Sequence, residues 1–231
     1  MKLKHFSFGI IGLCVSLTVS AFPFFQKTYD ITPQKALTLD TSDLSGNTDD
    51  LDNNVFKYAL KAYSCARKRG MDRQEMLTII DYSKPAVEPR LWVIDLKHLH
   101  VKYAELVAHG EKSGDMVGKY FSNKSGSHES SIGTFLTQGT YYGHNGLTLR
   151  LKGLEPGIND NAMTRYIVLH GAKYVSQNRV INEGRIGRSF GCPAIPKSMA
   201  KPTINAIKNG TILFAYAPKK SWLKHSSLLH C

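Results

Sequence analysis

From residue 77 onward the chain is divided into short segments of β-forming residues, and this pattern restricts the fold more than any other feature. The segments at 77–82 and 91–96 are rich in Ile, Leu and Val, and a stretch with two prolines separates them. A third segment, 101–107, alternates apolar and polar side chains, as a half-buried strand does. Further strands are predicted at 133–138, 147–151, 165–169 and 212–216. The sequence therefore predicts a mainly β domain.

Two helices accompany these strands. Residues 51–69 carry apolar side chains on one face with helical spacing, and Gly70 follows as a stop signal. Lysines occupy the opposite face, which is typical of a solvated helix surface. A second helix is predicted at 198–208, with Pro202 in its first turn or at a kink. The predicted fold class is a β-sandwich or barrel with a helix at each end and no alternating βαβ order.

The first 21 residues have the three-part organisation of a secretory signal peptide. Lys2 and Lys4 precede a nearly apolar run at 6–19, and small residues at 19–21 form a cleavage site. Since a bilayer-spanning helix needs about 18 or more apolar residues, we expect export and cleavage that leave no stable membrane anchor. Residues 22–50 are polar and contain two prolines, so a flexible linker is predicted there. The folded domain is then expected over residues 51–231.

The charge of the chain narrows its partners without identifying one. Its 231 residues include 30 Lys and Arg against 18 Asp and Glu, which gives a net charge of +12. Such a charge favours nucleic acid, anionic lipid or the polyanions of a cell envelope. No nucleic-acid motif accompanies the basic residues, so no nucleic acid is expected as a partner. The histidines show no metal-ligand spacing with Cys or acidic residues, and we expect neither a metal nor another cofactor.

Two segments contain residues that can carry out chemistry together. The segment 168–172 places His170 and Gly171 at the end of a buried strand, and the segment 187–194 places Cys192 in a loop interrupted by glycines. A thiol is a nucleophile only as the thiolate, and a neighbouring imidazole commonly forms it near neutral pH. A lone Cys or His is more often structural. The combination of the two segments nevertheless favours a cysteine acyl-transfer site.

These segments resemble a known family. The pair His-Gly at 170–171, followed by Ser-Phe-Gly-Cys at 189–192, resembles the L,D-transpeptidase catalytic domain. The stretch 187–194 is most similar to the branch described as murein L,D-transpeptidase catalytic domain proteins. Other stretches typical of that branch are the strand at 92–96, the pair His-Gly at 109–110 and the segment at 159–162. The resemblance extends over about residues 77–195.

The resemblance implies a fold, a reaction and a role for each matching residue. It implies a mostly β fold and cysteine acyl transfer on peptidoglycan tetrapeptide stems, in the periplasm or cell envelope. Cys192 would be the nucleophile and His170 its base. Ser189 would hold the loop together through hydrogen bonds. Backbone groups at Gly191 would bind the oxyanion, and a carbonyl at Gly171 would orient the imidazole.

Two departures from the family pattern lie on the substrate side of the site. Phe190 stands where most members have a second His, so any polar role of that position is lost. Pro193 and Ala194 follow the Cys, where many members have an Arg that can bind a stem-peptide carboxylate. We expect Arg188 or Arg165 to take this role as the substrate-binding residue.

The cysteine count adds one structural expectation. Removal of the signal peptide takes Cys14 away and leaves Cys65, Cys192 and Cys231. An odd number in an oxidising compartment leaves one thiol free. We expect Cys65 and Cys231 to pair, which would keep Cys192 reduced.

Two alternative functions remain open from the sequence. The same Cys and His could serve an L,D-carboxypeptidase or a related murein hydrolase, in which water accepts the acyl group. The protein could also be a non-catalytic cell-wall-binding protein that keeps the fold. The sequence does not identify the acceptor, the third residue of the stem or the oligomeric state.

Overall fold

The computed structural model describes Met1 and residues 31–231 of the chain. Apart from Met1, the predicted signal peptide at 1–21 lies outside the described residues, as does the part of the predicted linker at 22–30. None of the helices in the described part is both long enough and apolar enough to cross a bilayer.

Nine strands and five α-helices form the described part of the chain. The strands are β1 (Ser45–Gly46), β2 (Met76–Asp81), β3 (Leu91–Asp95), β4 (His100–Glu105), β5 (Gly133–Gly143), β6 (Gly146–Gly153), β7 (Val168–Ala172), β8 (Ala194–Pro196) and β9 (Ile212–Tyr216). The helices are α1 (Pro33–Ala36), α2 (Asn53–Lys68), α3 (Gln177–Glu183), α4 (Lys197–Ile207) and α5 (Lys220–His225), and a 3-10 helix covers Thr41–Asp43.

The strands are hydrogen-bonded into one sheet with the order β1-β4-β3-β2-β9-β5-β6-β7-β8. Three neighbouring pairs are parallel, namely β1 with β4, β2 with β9, and β7 with β8. The predicted sheet-dominated fold with few helices is confirmed. The finer description as a sandwich or barrel stays a prediction.

The strand that carries His170 differs from its predicted bounds. β7 begins at Val168, three residues later than the predicted strand at 165–169, and continues to Ala172. Tyr166 has a positive φ of 56°, which an extended strand does not allow, so the strand begins only after it. Arg165 therefore lies in the turn before β7, and His170 lies inside the strand and not at its end.

Helix α2 lies within the range 51–69 that was predicted for the first helix, and it packs on the sheet. α2 begins at Asn53 because the carboxylate of Asp52 caps it, accepting from the backbone N–H groups of Asn54 and Val55 at 2.8 and 3.0 Å. Its buried face includes Val55, Phe56, Ala59, Leu60, Tyr63 and Ala66. These side chains belong to the main apolar core together with β2, β3 and β9.

Part of the predicted linker packs on the core. Residues 31–50 include α1 and the 3-10 helix, and Ile31, Ala36 and Leu39 are buried in the main core. The polar composition of this stretch predicts a linker because it contains few apolar residues, yet these three are all buried. We therefore place residues 31–50 with the folded domain.

A disulfide joins α2 to the end of the chain. It links Cys65 to Cys231, as expected, with the two Cα atoms 5.9 Å apart. Cys192 is the free cysteine among those that the structure describes. The structure thus separates one cross-linked pair from one thiol.

Candidate active site

Strand pairing brings His170 next to the cysteine segment. In the parallel pair of β7 and β8, His170 is in register with Ala194. The backbone N–H of His170 also donates to the carbonyl of Pro193 at 3.4 Å. Cys192 directly precedes Pro193, so strand pairing brings the segment that carries Cys192 next to the strand that carries His170.

The environment of His170 sets its tautomer and its charge. The Nδ1 atom lies 3.1 Å from the carbonyl oxygen of Gly171, which can only accept, so Nδ1 carries the proton and Nε2 is a free acceptor. The side chain is only 5% exposed, and this burial lowers the pKa of His170, with the Gly171 carbonyl opposing the shift. The imidazole is therefore neutral near neutral pH and can accept a proton at Nε2.

The thiol of Cys192 is partly exposed and turned toward a carbonyl. Its Sγ donates to the backbone oxygen of Tyr166 at 3.4 Å. Burial raises the pKa of Cys192, while the N–H of Val168 and the charge of Arg165 act in the opposite direction. No hydrogen bond joins the sulfur to the ring of His170 among the described residues. In the resting state the thiol is thus protonated and the imidazole is neutral.

Hydrogen bonds of Ser189 hold the loop that carries the cysteine. Its Oγ donates to the carbonyl of Cys192 at 2.6 Å and accepts from the N–H of Gly191 at 3.1 Å. Its backbone N–H donates to the carbonyl of His109 at 3.0 Å, and its carbonyl accepts from Glu111 at 2.7 Å. Ser189 therefore ties the loop to itself and to the segment around residue 110.

Gly191 occupies a position where any side chain would be strained. Its φ is +121°, and a Cβ there would lie 2.9 Å from the carbonyl oxygen of Glu129. Its own carbonyl accepts from Ser130 Oγ at 3.0 Å, and its N–H is donated to Ser189. The backbone N–H of Cys192, in contrast, donates to no residue in the described part of the chain.

The two arginines predicted to bind substrate are both engaged with the protein. Arg165 donates to the carbonyls of Ser122 and Glu129 and to the hydroxyls of Ser127 and Ser131. This contact set clamps the loop at 122–131, which borders Gly191. Their substrate-binding role stays a prediction.

Arg188 is held in a similar way on the other side of the loop. It donates to the carbonyl of Gly114 at 2.9 Å and reaches that of Glu111 at 3.4 Å. It also lies 3.6 Å from the exposed carboxylate of Asp115. The side chain thus stabilises the turn that follows residue 110.

A buried arginine and a buried histidine stabilise the segment around residue 110, to which the cysteine loop is hydrogen-bonded. Arg90 is fully buried and donates from Nε and one terminal nitrogen to the carbonyl of Val107, at 2.9 and 2.7 Å. The same terminal nitrogen lies 2.7 Å from Nδ1 of His109. Since a guanidinium can only donate, Nδ1 accepts, and Nε2 donates to the carbonyl of Gly114 at 3.2 Å.

This pair links residue 109 to the carbonyls of Val107 and Gly114. Burial, followed by the charge of Arg90, lowers the pKa of His109 to about 4, so the ring stays neutral. The sequence offered one signal for it, the His-Gly pair at 109–110 within the family resemblance. Nothing in the sequence indicated Arg90, because an Arg that follows two prolines usually lies on the surface.

Two other positions noted in the sequence differ in burial: Phe190 is exposed and Asn159 is buried. Phe190 is 71% exposed, and its ring centroid lies 4.7 Å from that of His128 at the rim of the loop. Asn159, at the start of the segment 159–162, is buried and donates to the carbonyls of Ile132 and Thr134. Its amide therefore fixes the entry to β5.

A groove of about 280 Å³ opens beside the start of β7 and the turn before it, and neither His170 nor Cys192 is among the residues that line it. Its wall includes residues 166–168, and the Tyr166 carbonyl in this stretch contacts Sγ. The groove is lined by Tyr141, Arg150, Leu151, Met163, Tyr166, Ile167 and Val168. Within the described part of the chain, no group of three or more His, Cys, Asp or Glu side chains is placed to hold a metal ion.

Comparison with known proteins identifies a family model that covers most of the fold. The model of the L,D-transpeptidase catalytic domain matches residues 47–216, which include both His170 and Cys192. No curated protein matches the sequence.

Several solved structures are similar at low identity. An L,D-transpeptidase from Mycobacterium smegmatis is 15% identical, with 62% of this chain and 59% of that chain covered and a TM-score of 0.38. L,D-transpeptidase 3 from Mycobacterium tuberculosis is 9% identical, with coverage of 62% and 61% and a TM-score of 0.40. An L,D-transpeptidase from Xylanimonas cellulosilytica is 12% identical, with coverage of 82% and 95% and a TM-score of 0.36. The chain thus spans less than two thirds of the two mycobacterial structures.

Proposed function

The chain belongs to the L,D-transpeptidase catalytic domain family, and from this premise we propose that it is a cysteine acyltransferase acting on peptidoglycan tetrapeptide stems. One observation supports this most directly. The neutral imidazole of His170, with Nε2 free to accept a proton, is paired by strand register to the segment that carries the partly exposed Cys192. A nucleophile and its base need such a pair, with the two side chains able to come within hydrogen-bond reach of each other.

In the first half of the reaction, the thiol turns from the Tyr166 carbonyl toward Nε2 of His170. The imidazole accepts the thiol proton while Sγ attacks the carbonyl between the third stem residue and the terminal D-Ala. The N–H of Cys192, which has no described acceptor, stabilises the oxyanion. His170 then returns the proton to the amine of D-Ala, which departs and leaves a thioester on Cys192.

In the second half, an amine accepts the acyl group. His170 removes a proton from the amine, the new amide bond forms, and the sulfur departs and recovers a proton. A second stem, a protein lysine or a D-amino acid would each satisfy this chemistry. Water in the same place would make the enzyme an L,D-carboxypeptidase.

Roles for the supporting residues follow from their contacts. Ser189 and Gly191 hold the nucleophile loop, and the carbonyl of Gly171 orients the imidazole. The location we propose is the periplasm or cell envelope after removal of the signal peptide. The net charge of +12, which removal of Lys2 and Lys4 with the signal peptide lowers to +10, suits a protein that works on an anionic wall.

The test is incubation of the mature protein with tetrapeptide muropeptides, followed by mass analysis of the products. Dimers linked between third residues support the transferase, tripeptides alone support the hydrolase, and unchanged substrate supports a binding protein. Cys192→Ala should abolish every product, with a loss of roughly 10⁴-fold or more. Turnover that survives in this variant would exclude the mechanism.

Covalent labelling provides a second and simpler readout. A carbapenem, which acylates an active nucleophile, should add one adduct to the wild type and none to Cys192→Ala, as seen by intact mass. A control variant, Lys152→Gln, should be labelled at the wild-type rate, because it removes an exposed charge without touching the loop.

A further inference from the structure

We propose that Arg150, stacked on Tyr141, binds a carboxylate of the substrate peptide in the groove whose wall includes Tyr166, the residue whose carbonyl contacts Cys192. This inference rests on the proposed function, because it assigns the substrate contact of the same site. It names a residue that neither the catalytic loop nor the resemblance pointed to. The register of Arg150, its uncommitted donors and the walls of the groove support this role.

Strand register places Arg150 next to the reacting groups. Tyr141, Thr148 and His170 form one row across β5, β6 and β7, with Thr148 paired to each of the other two. Paired residues lie on the same face of a sheet, and so do residues two apart on a strand. Arg150 is therefore the diagonal neighbour of His170, about 7–8 Å away between Cα atoms and within reach of a long side chain.

The same register connects Arg150 to the sulfur. Arg150 is paired with Val168 across β6 and β7. The carbonyl of Tyr166, two residues before Val168, accepts from Sγ of Cys192 at 3.4 Å, so the thiol lies close to the start of β7. A carboxylate held by Arg150 would thus lie on the same face of the sheet as the attacked carbonyl.

The guanidinium of Arg150 has donors to offer. Its central carbon lies 4.3 Å from the centroid of the Tyr141 ring, and it makes no hydrogen bond or ion pair with any residue in the described part of the chain. Arg165 and Arg188, in contrast, already donate to backbone carbonyls. Stacking on an aromatic ring holds a guanidinium in place while leaving its edge free for a bidentate carboxylate.

The walls of the groove suit a small apolar residue that carries a carboxylate. Tyr141 and Met163 form apolar walls, and Arg150 is the one charged side chain among the residues that line it. Tyr166 is 80% exposed and holds a positive φ of 56°, which is unusual for a residue other than glycine. This backbone turns the Tyr166 ring to the groove side while its carbonyl contacts Sγ.

Two carboxylates of a stem peptide could occupy this position. One is the terminal carboxylate of the departing D-Ala, and the other is the side-chain carboxylate of a diaminopimelate at the third position. Both would be bound by the same fork of donors. Peptides that lack one or the other separate them: a C-terminal amide removes the first, and lysine at the third position removes the second.

The experiment compares kcat/KM of the wild type, Arg150→Gln, Arg150→Lys and the control Lys152→Gln on these peptides. Loss of a charged hydrogen bond corresponds to about 10–100-fold, so Arg150→Gln should lower kcat/KM by that factor on the full peptide. Arg150→Lys should recover part of the loss, and Lys152→Gln should stay within about twofold. The loss should vanish on whichever peptide lacks the bound carboxylate.

Binding without turnover keeps the inference separable from the proposed function. In the Cys192→Ala background, titration calorimetry with the full peptide should show a 10–100-fold weaker Kd when Arg150→Gln is added. Equal affinity with and without Arg150, or an equal loss in the Lys152→Gln control, would overturn the inference. Absence of turnover by the wild type would instead count against the proposed function, and the calorimetric comparison would still decide on Arg150.

Thermal unfolding of each variant excludes a purely structural effect. Arg150 is exposed and makes one ring contact, so its replacement should leave stability nearly unchanged. Tyr141→Leu removes the stacking surface and keeps the charge, so it should weaken binding less than Arg150→Gln does. A Tyr141→Leu variant with the larger loss would mean that the groove, and not the guanidinium, binds the peptide.

Discussion

In the part of the chain that the structure describes, the disulfide and the free thiol lie in two regions that are stabilised in different ways. The disulfide end, which comprises α2 and the last residues of the chain, is held by the Cys65–Cys231 bond and by an apolar face buried in the core. The thiol loop, residues 187–193, is held by hydrogen bonds from Ser189 and Ser130 and by a glycine in a left-handed conformation. One end contributes stability, and the other positions a reactive group.

The two modes of stabilisation predict different effects of substitutions in the two regions. Apolar burial is non-directional, so a packed helix tolerates small shifts. Hydrogen bonds to a loop depend on direction and distance, so they determine where Sγ lies to a fraction of an ångström. Changes at the disulfide end should therefore alter stability alone, and changes around the thiol loop should alter reactivity as well.

The largest expected effect on stability comes from removing the disulfide. The double variant Cys65→Ser with Cys231→Ser should lower the free energy of unfolding by about 2–5 kcal/mol, because the unfolded chain loses its cross-link. Denaturant unfolding under non-reducing conditions measures this. Turnover at a temperature where both proteins are folded should be unchanged. A drop in turnover per folded molecule would show that the two regions are coupled.

The next effect concerns the support of the loop and depends on pH. The unfolded chain protonates His109 as the pH falls through its ordinary value of 6.5, whereas the folded protein does so only near a pKa of about 4. Stability is therefore lost between these pH values, by roughly 3 kcal/mol, and is fully present above them. His109→Gln, which keeps an acceptor for Arg90, should flatten this part of the unfolding free energy against pH. An unchanged slope would show that the ring is not neutral in the fold.

A smaller effect on stability comes from the loop itself. Gly191→Ala should cost about 1–3 kcal/mol, since φ is +121° and the added Cβ would meet the carbonyl of Glu129. Turnover per folded molecule should also fall strongly, far beyond what partial unfolding would explain, because the neighbouring Cys192 moves with the backbone. Gly157→Ala is the matched control: it also has positive φ, and a Cβ there meets nothing within 4 Å. Equal losses of turnover in the two variants would contradict the comparison.

The smallest effect concerns the reactivity of the resting thiol. Burial raises the pKa of Cys192, so the folded protein should react with iodoacetamide several-fold more slowly at pH 7 than the same chain unfolded with its disulfide intact. The rate should increase with pH into the alkaline range without a plateau near neutrality. A faster reaction of the folded protein at pH 7 would show a preformed thiolate and imidazolium pair.

Particular elements show how far the sequence alone could predict the fold. β9 has the bounds that were predicted for it, Ile212–Tyr216. A short apolar run between a glycine and a proline is typical of a buried strand bounded by turns. β8 escaped prediction because it has three residues, one of them a proline. β7 was misplaced because the positive φ of Tyr166 is imposed by the turn and not by its residue type.

The site divides in the same way. The roles predicted for Ser189 and for the Gly171 carbonyl rest on neighbours within a few residues, and the contacts are present. Arg90 and Arg150 gave no signal in the sequence. The first donates to the carbonyls of Lys84 and Val107, which lie in two separate segments, and the second acquires its position from the register of three strands.

The order of residues alone determined the family and predicted the reacting pair and the odd thiol, because these depend on which side chains occur at a given spacing. Only the tertiary structure decided which arginine keeps free donors, which N–H near the sulfur is uncommitted and which polar groups are buried. The physical reason is that hydrogen-bond satisfaction and burial are properties of groups that meet from distant parts of the chain. No local pattern contains that information.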